Sequence, residues 1–397
     1  MDSKFSISAA LLVLTLAFAA EAIPPTKVFN VKAFGAIPDG ITDSSKAFLY
    51  AWKEACAWEG GARVVIPAGT FLVGPAVFKG PCKGAIVFQV TGVVKAPGLD
   101  KFPSDGWIEF QYINGLMVTG GGTFDGQGAA AWPYNQCPKM QKCKMLPTSL
   151  RFSFVNDATI RKFTSLNSKH FHMNIFACKN VKLQALTISA PGDSPNTDGI
   201  HMGEVSGIKI SRSVIGTGDD CISIGPGSSN VSVSNVVCGP GHGISIGSLG
   251  KYAADRDKDV VDLKVRNCTI KDTTNGLRIK TWQDSAVLSA SRFTFEDIVM
   301  DNVYNPIIID QEYCPFASCA AKSPSRVKIS EVSFRNIRGS SASEVAVNLL
   351  CSKGVPCQNV RLENINLEYN GVGGPAKASC SSVKGISSGP QNPPSCL

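Results

Sequence analysis

Residues 181–188 read VKLQALTI, with apolar side chains at the first, third, sixth and eighth places. Alternation with period two means a β-strand, and the odd step between the third and sixth places means a bend between two short strands. The same template returns at Ile208 (IKISRSVI), Val231 (VSVSNVVC), Leu263 (LKVRNCTI), Phe293 (FTFEDIVM), Val327 (VKISEVSF) and Val360 (VRLENINL). Six of the seven units fill all four places, and only Ser213 in the second departs. Their starts lie 27, 23, 32, 30, 34 and 33 residues apart. Self-similar units of this length, rich in strands and almost without helical periodicity, predict a solenoid whose turns stack. The expected fold is all-β, a right-handed parallel β-helix. A β-sandwich would also alternate, but it has no need of repeating units.

A solenoid has open ends, and an unpaired edge strand invites aggregation, so the first rung needs a cover. Thr42 to Ala57 (TDSSKAFLYAWKEACA) supplies one, with Ala47, Phe48, Ala51, Trp52 and Ala55 at helical spacing behind a Thr/Asp/Ser start. An N-terminal capping α-helix is therefore expected. The Gly/Ser/Pro-rich stretch from Gly371 to Leu397, pinned by Cys380 and Cys396, is expected to lie over the other end. No linker divides the chain, so residues 23–397 are read as one catalytic domain.

Ahead of that domain, Lys4 precedes a small-residue and Leu-rich run from Ile7 to Ala20, and Ala20-Glu21-Ala22 has the form of a cleavage site. Residues 1–22 read as a secretory signal peptide. The run is short for a membrane span, and no later stretch reaches ~18 consecutive apolar residues, so a secreted, extracellular, cell-wall protein is expected, without a membrane partner. Fourteen cysteines fit that oxidising destination. Cys351/Cys357 and Cys380/Cys396 are close enough to close short loops, and no zinc-type Cys spacing is present. In a secreted chain, Asn230-Val-Ser and Asn267-Cys-Thr are glycosylation sequons. The net charge of +8 favours a polyanion such as an acidic polysaccharide. No basic run with interleaved aromatics supports nucleic-acid binding.

A second register carries the chemistry. The segments DGIHM, DCISI, HGISI and NGLRI are anchored on Ile200, Ile222, Ile244 and Leu277, and the first three anchors are 22 residues apart. Equal rungs stack equal offsets into columns at about 4.8 Å per rung. Two places before the anchors stand Asp198, Asp220, His242 and Asn275, with Asp219 beside the middle acid. One place after them the column reads His201, Ser223, Ser245 and Arg278, with Lys280 two residues on. Arg278 and Lys280 share parity and are expected to face solvent, making an exposed ridge of three carboxylates beside cations. Adjacent Asp219 and Asp220 cannot both project from one face of a regular strand, so they must sit where the alternation breaks, at the turn offered by Gly216 and Gly218. Three acids so close cannot all ionise together, and at least one should keep its proton to higher pH. An acid with a base is the equipment of glycosidic hydrolysis.

Four blocks in this order, NTDGIHM (196–202), GTGDDCISI (216–224), GHGISIGS (241–248) and RIK (278–280), resemble the signatures of polygalacturonases, glycoside hydrolase family 28. VFNVKAFGAIPDGITDSSKAF near the start resembles the family's N-terminal cap, and the pattern is most similar to the plant, pollen-type exopolygalacturonase branch. The resemblance implies inverting hydrolysis of α-1,4-galacturonosyl linkages in de-esterified pectin by a monomer that needs no cofactor and no metal. Carried over by block, Asp219 would be the general acid, and Asp198 and Asp220 would hold and deprotonate the attacking water. His242 would tune the acid or hold substrate. Arg278 and Lys280 would grip a substrate carboxylate, with Asn196 in the first block and Tyr313 in the QEY of 311–313 as further substrate contacts. Cys221 and Cys238 would form a disulfide bracing these rungs.

Spacing and resemblance pull apart at one point. Carboxylates one rung apart, ~5 Å, suggest retention, whereas inversion wants ~6.5 to 9.5 Å. Endo action is the alternative to exo action, set by whether walls such as residues 249–262 close the groove. A calcium-dependent pectate lyase, with the Asp cluster on the ion, and a non-catalytic wall-binding β-helix are the other readings. His201 stands between substrate contact and neutral surface. His170 and His172 belong to no column and read as structural.

Overall fold

Leu183, Ile210, Val233, Val265 and Phe295, the third places of the template, stand opposite one another in consecutive parallel strands, as the repeat requires. The computed structural model describes residues 26–397 apart from 138, 141, 142, 253–256, 317, 318 and 320–322. The leader expected over 1–22 and part of the 249–262 interval lie outside the described residues. The chain winds as a right-handed parallel β-helix, the hand that parallel crossovers adopt.

Each bend is a single left-handed residue. Asn230, Asp262 and Arg292 turn the chain just before a template (φ 51°, 61° and 60°), and Asn235, Asn267 and Asp297 turn it in the middle (φ 55°, 50° and 56°). Asn and Asp tolerate this region best, which is why they recur at the odd step. The amides also bridge rungs: Asn267 Nδ2 donates to Asn235 Oδ1 (2.6 Å), and Asn364 Nδ2 to Asn336 Oδ1 (3.0 Å). Both sequon asparagines, Asn230 and Asn267, are such corners and are exposed. Ser213, the one polar template residue, is buried but satisfied: it accepts from the Leu186 amide and donates to the Ser211 carbonyl.

The sixth unit needs correction. Phe293 pairs with Val332, and Val332 with Val360, while Val327 pairs with Leu288. The rung thus begins five residues later than the template places it. Glu331 (φ 55°) is the corner before the rung, and apolar pairs flank both corners, so an eight-residue pattern fits either one. The register also runs back beyond residue 180, through Ala158, Leu116, Ile86 and Ala62 to Lys27. These rungs escape the template because small or polar residues hold its apolar places, Gly121 and Thr123 in the rung from Leu116 and Ser165 in the rung from Ala158.

Helix α1 (Ser45–Ala57) buries Ala47, Phe48, Ala51, Trp52 and Ala55, the five residues its periodicity marks. It starts later than Thr42 because Asp39–Asp43 is a strand paired with Thr70–Leu72. Trp52 covers the open end, with its ring 5.3 Å from Phe78 and 5.9 Å from Phe110, and Cys56–Cys82 ties the helix to the coil. At the far end, the tail differs from the expected cover: Lys377–Ser381 and Val383–Asn392 add a last rung, closed by Cys380–Cys396. Its edge carries Pro390, Pro393 and Pro394, which lack the N–H another strand would need. Cys351–Cys357 and Cys221–Cys238 form as expected, while Cys178 and Cys268 are buried free thiols.

The sheet that positions the site has eleven strands: β1 (Ala76–Lys79), β2 (Gly106–Gln111), β3 (Thr148–Ser153), β4 (Met173–Phe176), β5 (Ile200–Gly203), β6 (Ile222–Ile224), β7 (Ile244–Leu249), β8 (Asn275–Trp282), β9 (Asn305–Tyr313), β10 (Val345–Leu350) and β11 (Lys377–Ser381). Inside, Phe78, Phe110 and Phe152 stack at 5.2 Å steps before aliphatic residues take over the column. Each fully buried side chain of this size contributes about 1.5–3 kcal/mol. This core runs without a break from Phe29 to Ala376 and holds the rungs at the spacing on which the site depends.

Candidate active site

Ile200, Ile222, Ile244 and Leu277 pair in register on β5 to β8, so the residues before and after them form the predicted columns. Asp219 and Asp220 lie between strands, at the break in alternation between Val214–Gly216 and β6. Gly218 allows that turn through close approach rather than an unusual φ: a Cβ there would lie 2.0 Å from the Ser194 carbonyl oxygen. Cys221, next to Asp220, is tied to Cys238 on the following rung.

The three carboxyls have three different environments. Asp220 is buried, and its Oδ1 accepts from Arg278 (2.6 Å) and Ser245 Oγ (2.7 Å), while its Oδ2 accepts from Lys280 Nζ (2.8 Å). Burial pushes this carboxyl up, but Lys280 and Arg278 outweigh it and hold the group well below the usual carboxylate range. Asp198 is also buried but touches no cation. Its Oδ2 accepts from Ser223 Oγ (2.9 Å). Burial, reinforced by the charges of Asp219 and Asp220, raises it well above the ordinary value. Asp219 keeps a partly open side chain; His242 Nδ1 lies 2.9 Å from its Oδ1, and Asn196 Nδ2 donates to Oδ2 at 3.3 Å. Burial again acts upward, but the bond to His242 is the main counterweight, and the carboxyl ends below its ordinary value.

The exposed ridge expected from strand parity is instead a recessed floor. Lys280 is 7% exposed, Asp220 1% and Asp198 6%. The reason is electrostatic: a buried Asp220 is tolerable only when paired, and pairing draws both cations inward. Arg278 is correspondingly raised: desolvation opposes this, but Asp220 prevails. Part of each cation's donor set stays uncommitted, since a guanidinium has five N–H groups and an ammonium three.

Tyr313 joins this floor through a shift in register. Lys280 pairs with Asp310, but Trp282 pairs with Tyr313, and this bulge turns Tyr313 toward Lys280, whose Nζ lies 5.3 Å from the ring centroid. Asn196 is held from behind: its Oδ1 accepts from Asn135 Nδ2 (3.1 Å), leaving its own amide N–H for Asp219. Asn275 continues the acid column only as an amide, accepting from Asn305 Nδ2 (3.2 Å).

Of the remaining histidines, His201 is stacked on Phe171 (4.7 Å), with its Nδ1 2.7 Å from Ser223 Oγ. Burial pushes it down to about 4. His172 is fully buried on Ser165, pushed down to about 3, which agrees with a structural part. His170 is buried and down to about 4, within electrostatic reach of Asp219, His201, Asp105 and Arg151, so it borders the site although no column reveals it. Asn135 was likewise invisible, because its segment has no repeat register. Ser223 and Ser245 stood in a visible column but had no chemistry assigned to them.

Asp219, Asp220 and His242 each bring one ligand atom within 4.8 Å of the others. The set does not fit a cation: both Asp220 oxygens already face positive groups, and His242 Nδ1 is taken by Asp219.

Residues 56–396 match the model of the glycosyl hydrolases family 28. An exopolygalacturonase of Platanus acerifolia is 51% identical over 92% of this chain and 97% of its own, and a polygalacturonase of Gossypium hirsutum is 47% identical over 100% and 97%. Among solved structures, the endo-xylogalacturonan hydrolase of Aspergillus tubingensis superimposes with a TM-score of 0.75 at 22% identity, covering 91% of this chain and all of that one, a likeness of fold. Stacked rungs, a column of acids facing cations, and relatives aligned over nearly the whole chain agree: this chain belongs to glycosyl hydrolases family 28.

Proposed function

We propose that this protein is a secreted polygalacturonase that releases galacturonic acid from chain ends of de-esterified pectin by inverting hydrolysis. The observation that carries the reading is the Asp198, Asp219 and Asp220 cluster with Arg278 and Lys280 on its floor, acids for the bond and cations for a polyanion. Exo action is supported by relatives named exopolygalacturonase, such as that of Platanus acerifolia. Six disulfides and the leader-like start support secretion to the cell wall. The single domain over 23–397 and the monomeric state belong to the same reading.

In this mechanism Asp219, the most open of the three acids, protonates the leaving glycosidic oxygen. The proton comes from the pair it forms with His242, and the negative charge of a galacturonate raises the proton affinity of Asp219 as substrate seats. Asp198 and Asp220 hold the attacking water, and Asp198, without a cation, is the one able to take its proton. Spare donors of Arg278 and Lys280, with Asn196 and Tyr313, orient the sugar carboxylate.

Product analysis on polygalacturonic acid tests this. Monomer in the first minutes is expected; mixed oligomers with a rapid viscosity fall would mean endo action, and unsaturated products would mean a lyase. Inversion is carried by the family, and proton NMR of the first product should show the β-anomer; initial α-product overturns it.

A further inference from the structure

Ser223 and Ser245 occupy the same column one rung apart, and each donates to the acid that begins the rung before it, Asp198 (2.9 Å) and Asp220 (2.7 Å). What stands behind each serine differs. Behind Ser245 is Arg278, whose Nε donates to Ser245 Oγ at 2.9 Å. A guanidinium has no acceptor, so the single hydroxyl proton of Ser245 is committed to Asp220 at every working pH. Behind Ser223, in direct register on β5, is His201, with Nδ1 at 2.7 Å and its ring against Phe171.

We propose that His201 is a positioning residue for Asp198: its Nδ1–H donates to Ser223 Oγ and thereby commits that hydroxyl's proton to the Asp198 carboxylate. An ionised carboxylate accepts only, so Ser223 must give it its one proton, and the serine oxygen is then free only to accept from His201. His201 thus takes the donor role of Arg278 from the opposite side of the serine and without the charge. The uncharged version suits a carboxylate that has to gain and lose a proton. Lys280, Asp220, Asp219 and, through His170, a second buried ring face His201, and burial pushes it down to about 4, so the ring is neutral above that pH. The inference rests on the reading of Asp198 as the base.

The test is the pH dependence of kcat/KM for His201→Ala, His201→Asn and Ser223→Ala. An Asn amide replaces Nδ1–H, whereas Ala removes it. The acid limb should move up by about half to one pH unit in His201→Ala, the equivalent of one hydrogen bond, and stay near wild type in His201→Asn. The His201→Ala/Ser223→Ala double variant should be no worse than Ser223→Ala alone. A raised KM with an unshifted profile in His201→Ala, or additive losses in the double variant, overturns the proposal in favour of substrate contact. Asp198→Asn separates the two levels: wild-type turnover there overturns the base reading itself, whereas an inactive Asp198→Asn beside an unshifted His201→Ala overturns this inference alone.

Discussion

Lys280 Nζ lies 2.8 Å from Asp220 Oδ2, two rungs further along the coil, with both side chains almost wholly buried. The pair joins strands β6 and β8 of the site sheet beneath the groove and leaves the carboxylate charged in a place where water cannot help it.

Lys280→Met should therefore cost far more than a surface lysine would. Removing one partner of a buried pair costs about 3–5 kcal/mol, and Arg278, which still holds Asp220 Oδ1, should keep the loss toward the lower end of that range. Urea unfolding at neutral pH should show this loss, with activity on polygalacturonic acid falling at the same time. A change of less than about 1 kcal/mol, the range of surface pairs, would contradict the burial of the pair.

Asp198 predicts the opposite sign. Its folded proton affinity is raised, so the folded state binds more protons than the unfolded state between the ordinary carboxylate value and the raised one. Stability contributed by this group is thus lost as pH rises through that window. Asp198→Asn, which still accepts from Ser223, should melt a few degrees higher at pH 7, roughly 2–4 °C, while losing turnover. An unchanged or lower melting temperature would show that the raised affinity is absent.

His242→Ala removes the main influence holding Asp219 down. The carboxyl becomes a weaker acid, so turnover should drop by about 10- to 100-fold while the alkaline limb of the kcat profile moves to higher pH. A raised KM with kcat and its profile unchanged would assign His242 to substrate binding.

Asn135 touches Asp219 only through Asn196. Asn135→Ala frees the Asn196 amide to rotate, and kcat should fall about 3- to 10-fold, equal to one weakened hydrogen bond, with KM little changed. Wild-type kcat would mean that Asn196 is held by the chain itself.

Cys221→Ser/Cys238→Ser opens a disulfide whose half-cystines are 17 residues apart. Loop-closure entropy for about that length is worth about 3 kcal/mol. Because Cys221 adjoins Asp220, activity should decline at lower denaturant than bulk unfolding; coincident curves would argue that the bond braces the whole coil equally.

How far each feature is legible in the sequence follows from how local its cause is. Period-two alternation, asparagines at left-handed corners, the five buried positions of helix α1 and the equal 22-residue steps from Ile200 to Ile244 are properties of short stretches, so the β-helix and the column of Asp198, Asp220 and His242 follow from the order of residues alone. The sixth rung slipped for the same reason: an eight-residue pattern cannot tell which of two similar corners it spans. Protonation was beyond the sequence. It depends on Lys280 reaching Asp220 two rungs away, on Asn135 reaching across 61 residues to Asn196, and on Asp198 being bonded to Ser223 rather than to a cation. Placing like acids in one column is a matter of spacing; making them chemically unlike takes partners from distant rungs and the exclusion of water around them, which arise only when the coil has wound.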